Sequence, residues 1–85
     1  MTVEFFGIPR QRAGQEQYVV DARSLFEAVH AVETRFPGLA GFLIRDGRLS
    51  PYVLASLNGE RFISDSATEL RPGDHLLLLS ADAGG

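Results

Sequence analysis

The chain has 85 residues, a net charge of -3 and no cysteine. That length makes one domain with a modest core, because a chain this small buries only about 60% of the surface it exposes when unfolded. It leaves no room for a deep catalytic cavity, and the missing thiols exclude disulfides, zinc–thiolate sites, iron–sulfur clusters and a persulfide carrier.

The charges are scattered, with no basic cluster of the kind that binds DNA or RNA. All 8 basic residues are arginine, so no lysine amine is present for linking one copy to another. Met1 to Gly14 holds no apolar run long enough for a signal peptide or a membrane span. The expectation is a cytoplasmic protein with neither nucleic-acid nor membrane partners.

In chain order, Val3 to Ile8 sets Val3 and Phe5 against Glu4, Phe6 and Ile8, a period of two that predicts a strand. Pro9 to Gly14 reads as a loop and Gln15 to Val20 as the second strand of a hairpin. Ser24 and Glu27 then stand at capping-box spacing. Leu25, Ala28, Val29, Val32 and Phe36 follow as one apolar helical stripe, which Pro37-Gly38 ends.

Leu39 to Pro51 is irregular, with a turn expected at Asp46-Gly47. Tyr52 to Leu57 predicts a third strand, Asn58-Gly59 a tight turn and Arg61 to Ile63 a short fourth strand. Ser64 to Thr68 and Arg71 to Asp74 read as turns. His75 to Ser80, with 4 consecutive leucines, is the final strand.

A hairpin, one helix and further strands define an α+β fold of the β-grasp (ubiquitin-like) layout. It is a mixed sheet of four to five strands packed on one main helix. Leu25, Val29, Val32 and Phe36 are expected to pack on Val3, Phe5, Leu76 and Leu78. Phe6, Ile8, Leu77 and Leu79 then face outward, with Arg61 and His75 as neighbours. Outward apolar residues are costly unless a partner covers them, so these six are the candidate partner-binding residues.

Residues 1–80 form the domain in this reading, and 81–85 a flexible tail ending in Gly84-Gly85. From Ser80 the tail extends to roughly 20 Å. Glycine without a Cβ passes a narrow channel and lies close against a nucleotide. Glu27, His30 and Glu33 sit at helical spacing but read as a solvated face rather than metal ligands. Asp65-Ser66 and His75 lack the setting of a hydrolytic triad. No catalytic or metal-ligating residue is assigned.

Together these features resemble the ubiquitin-like sulfur carriers, which include the molybdopterin synthase small subunit and the carriers of the thiamine and a cysteine-biosynthesis pathway. The resemblance spans nearly the whole chain. It rests on Phe5-Phe6, Arg35-Phe36-Pro37-Gly38-Leu39 and Asn58-Gly59-Glu60. It rests also on Leu70-x-x-Gly73-Asp74-x-Leu76-x-Leu78-Leu79 leading to Gly84-Gly85. The family's tail often reads Pro-Pro-Val-x-Gly-Gly, whereas Ser80, Ala81 and Asp82 occupy those places here.

The resemblance implies a carrier or non-catalytic small subunit, not an enzyme. An E1-like adenylating enzyme would use ATP to activate the Gly85 carboxylate, and a sulfur donor would convert it to a thiocarboxylate for a sulfur-accepting enzyme. No cofactor is expected on the chain itself. Apolar residues at the positions of Phe6 and Leu79 lie at the family's partner interface. Two other readings stand open: a modifier joined through Gly85 to lysines of other proteins, and a β-grasp binding module with an incidental Gly-Gly end.

Overall fold

The computed structural model describes residues 1–81; the expected tail beyond them, with Gly84 and Gly85, lies outside the described residues. Its elements are β1 (Thr2–Phe5), α1 (Ile8–Ala13), β2 (Gln17–Val19), α2 (Leu25–Arg35), a 3-10 turn (Pro37–Leu39), β3 (Ile44–Arg45), β4 (Arg48–Leu49), β5 (Val53–Leu57), β6 (Arg61–Ile63) and β7 (His75–Ser80). Five strands form one sheet in the order β2-β1-β7-β5-β6, while β3 and β4 pair separately. β1 and β7 run parallel and the other pairs antiparallel. This is the mixed β-grasp sheet that the strand and helix pattern predicts.

α2 begins where the capping residues place it. Ser24 Oγ accepts the Glu27 N–H at 3.1 Å, and the Glu27 carboxylate accepts the Arg23 N–H at 3.0 Å, one residue before the expected position. Its stripe, Leu25, Ala28, Val29 and Val32 with Phe36 just beyond, is fully buried against Val3, Phe5, Leu76 and Leu78 of the two central strands. Phe36 meets Phe5 edge-on at 5.6 Å and Tyr18 at 5.2 Å.

The segment expected to continue the first strand does not. Gly7 takes φ 70° and turns the chain into α1, so Ile8 opens a helix rather than extending β1. The stretch read as a loop is therefore a six-residue helix, with Pro9 in its first turn and Gly14 closing it in the left-handed conformation. Proline just inside a helix and glycine just past it are the proper signals for such a turn. The polar composition between them hid it.

Gly38 does more than stop α2. A Cβ there would collide with the Arg12 carbonyl oxygen, so the glycine lets the end of α1 close onto the 3-10 turn. Both predicted tight turns carry positive φ at their two central residues, Asp46-Gly47 at 56° and 76° and Asn58-Gly59 at 55° and 66°. In the first, where Arg45 stands opposite Arg48, that is the geometry of a two-residue hairpin; the second connection has three residues, because Leu57 stands opposite Arg61. The first of them makes β3 and β4 a small hairpin within the irregular segment.

Candidate functional site

β7 lies at the centre of the sheet and alternates strictly. Leu76, Leu78 and Ser80 point under α2, while His75, Leu77 and Leu79 point to the opposite face. The strand's last residue is held from two sides. Buried Ser80 accepts the Ile8 N–H on its hydroxyl at 2.8 Å, and Ala81 donates its N–H to the Tyr52 carbonyl at 2.9 Å. A Cβ on Gly7 would stand 2.6 Å from Ser80 Oγ, so glycine is required there both for its φ and for space. The end of β7 is thus fixed at Ser80 and Ala81. Sequence reasoning took Ser80 only as a departure from the family's prolines and missed this lock.

The outer face carries three of the four apolar residues expected of it, Phe6, Leu77 and Leu79, and two more. Leu77 and Leu79 are half-buried, and Phe6 is 54% exposed. Phe6 still donates its N–H to Leu78, one rung beyond β1. Leu54 stands opposite Leu79 in register, and Ser56 joins Leu77 to Phe62, which is 64% exposed. Leu54 and Phe62 were legible in the alternation of their strands and were overlooked. Ile8 is not on this face; it sits at the tail's root, tied to Ser80 by its backbone.

Arg61 is also misplaced in the expectation. It stands opposite buried Leu57, on the helix side of the sheet, because Phe62 takes the outward position. With Asn58, Glu60, Thr68, Glu69, Arg71 and Asp74 it borders an open cleft at the far end of β7. His75 does face outward, and its Nε2 lies 2.7 Å from the Glu4 carboxylate on the neighbouring strand.

In that far cleft the Asp74 carboxyl is held below the usual carboxylate range. The Asn58 side chain donates to it at 3.0 Å and the Arg71 N–H at 2.8 Å, and both bonds favour the charged form. Asn58 Oδ1 in turn accepts the His75 N–H, so the network staples the β5–β6 turn to the start of β7. A depressed folded-state pKa stabilises the fold above the unfolded value, and this contribution is lost as pH falls through the folded one. Asp74→Asn is therefore expected to flatten the acid side of a melting-temperature profile against pH, and a thermal melt series checks it.

The helical acid–histidine set has other work. Glu27 caps α2, Glu33 accepts the Leu43 and Ile44 N–H groups at 2.8 and 3.1 Å, and His30 stacks on Phe26. Among the described residues no helix is long and apolar enough to cross a membrane.

A mixed five-stranded sheet with β7 central and parallel to β1, packed on one main helix, is the ubiquitin-like β-grasp fold. The chain is 31% identical to small archaeal modifier protein 3 of Haloferax volcanii, over all of this chain and 98% of that protein. The solution structure of the Haloferax volcanii HVO 2177 protein matches 99% of this chain and 84% of its own, with a TM-score of 0.81 and 32% identity. A crystal structure of the Amycolatopsis orientalis BexX/CysO complex matches 99% of this chain and 98% of the aligned chain, with a TM-score of 0.82 and 26% identity. No family model matches the sequence. The chain belongs to the ubiquitin-like sulfur-carrier and small-modifier family.

Proposed function

We propose that the chain is a cytoplasmic sulfur carrier whose reacting group is the Gly85 carboxylate. The observation that supports this reading is the end of β7, held at Ser80 by Ile8 and at Ala81 by Tyr52, next to the apolar face of Phe6, Leu54, Leu77, Leu79 and Phe62. A partner gripping that face would hold the strand that leads into the tail.

The chemistry belongs to the partners. A carboxylate is a poor electrophile, so an E1-like enzyme joins a Gly85 oxygen to the α-phosphorus of ATP and pyrophosphate leaves. A sulfide donor then attacks the acyl carbon, AMP departs, and a thiocarboxylate remains. A sulfur-accepting enzyme uses that soft nucleophile on its own substrate. This chain contributes the terminus and the docking surface and binds no cofactor of its own.

Similarity to a protein named as a modifier favours a second reading, in which a lysine amine attacks the same acyl adenylate and an isopeptide results. With no lysine in the chain, such conjugates would not extend through its own side chains to a further copy.

Intact-protein mass spectrometry separates the readings, after incubation with ATP, the cognate adenylating enzyme and a sulfide source. The expected result is a gain equal to exchanging one oxygen for sulfur, lost when Gly85 is deleted. An unchanged mass with an enzyme that demonstrably turns over overturns the carrier reading. Higher-mass conjugates in cells that vanish with Gly85 establish the modifier.

A further inference from the structure

Tyr52, whose carbonyl holds Ala81, belongs to a ladder of two rings flanked by two guanidiniums. The Arg12 guanidinium lies over the Phe42 ring at 4.2 Å. Phe42 stacks on Tyr52 at 6.4 Å with the planes 11° apart, and Arg45 lies over Tyr52 at 5.1 Å. The four residues come from α1, the loop after the 3-10 turn, β3 and the turn just before β5. They meet only in the fold, beside the root of the tail.

Among the described residues no carboxylate forms an ion pair with the cations of this ladder. Among the described residues the ion pairs are Arg10–Glu16, Arg71–Glu69 and His75–Glu4, and none involves Arg12, Arg45 or Arg48. Arg12 donates only to the neutral Gly38 carbonyl, at 3.3 Å. Arg45 stands directly opposite Arg48 across the β3–β4 hairpin, and like charges so placed repel. The two arginines and Pro51 border one open hollow, and Asp46 in the turn between them forms no ion pair with either.

The geometry selects the kind of ligand. Two guanidiniums over neighbouring rings, with Arg48 beside Arg45, make a cationic surface that favours an anionic group. A guanidinium over a ring can still offer two N–H groups to a carboxylate.

We infer that the Arg12–Phe42–Tyr52–Arg45 ladder, reinforced by Arg48, is a second docking surface that receives an acidic loop of the adenylating enzyme as that enzyme takes in the tail. The inference rests on the carrier reading for its partner. The apolar sheet face supplies grip on one side of the exit, and the ladder supplies charge-directed orientation on the other.

The test is calorimetric binding of the chain to its cognate adenylating enzyme at several salt concentrations, alongside the kinetics of pyrophosphate release. The double variant R12E/R45E is expected to bind at least about tenfold more weakly, with a flatter salt dependence. KM should rise while kcat is retained. R12Q/R45Q should move the same way by less, R12K/R45K should recover part of the loss, and R23E, remote from the ladder, should behave as wild type. Thermal melts confirm that each variant is folded. Wild-type affinity, salt dependence and KM in R12E/R45E and R12Q/R45Q overturn the inference, while normal thiocarboxylation of the wild type keeps the carrier reading intact. A wild type that is neither bound nor adenylated overturns both.

Discussion

Replacing Phe5 by alanine is expected to cost about 3–5 kcal/mol, read as a shift of the urea midpoint with an unchanged slope. Phe5 is 1% exposed and sits between the central strands and α2, edge-on to Phe36, which is itself edge-on to Tyr18. Alanine would remove the whole ring from that interface, and neighbours on a hydrogen-bonded sheet cannot move in to fill the space. A domain of 85 residues has about 4–13 kcal/mol of stability in total. This single change therefore brings the chain close to unfolding. A loss below about 1 kcal/mol, the size of a surface change, would contradict the packing of α2 on β1 and β7.

The second large effect is on association, with the fold left alone. Phe6→Asp should leave the melting temperature nearly unchanged, since the side chain is more than half exposed and its N–H still bonds to Leu78. It should weaken binding to the adenylating enzyme by roughly 30-fold or more, the loss of an aromatic anchor at an interface centre. Phe62→Asp tests the other edge of the same face. Val19→Asp is the contrast: Val19 is 69% exposed on the same side of the sheet but pairs with Thr2, away from the tail. Equal, undiminished affinity for all three variants in calorimetric titrations would remove the outer face as the docking surface.

What the sequence made legible follows from how many residues share each signal. α2 was readable because a cap, a five-residue stripe and a proline–glycine stop agree. β7 was readable because its alternation matches that of β1, and this sorted Val3, Phe5, Leu76 and Leu78 from Leu77 and Leu79. Short elements carry no such redundancy. β3 and β4 have two residues each, too few for a period, and α1 gives only Pro9 and Gly14.

Arg61 was misassigned because a three-residue strand shows its register only through its partner, Leu57. The ladder was invisible for another reason. Arg12, Phe42, Arg45 and Tyr52 share no spacing, and the fold alone places them together. The Ser80 lock depends in the same way on Gly7, far off in the sequence.

The central place of β7 also governs when the domain can form. Its neighbour β1 is the first strand of the chain, so contacts such as Glu4 with His75 close a loop of 71 residues. Loops of that span slow folding, and the two halves of the sheet have nothing to join them until β7 arrives. On the ribosome, β1–β2 and β5–β6 would wait as separate hairpins with α2 uncovered until the leucine run has emerged. A product cut short before Ser80 lacks the strand that unites the docking face. Synthesis itself thus withholds the complete sheet until the strand leading into the chain's last residues has been made.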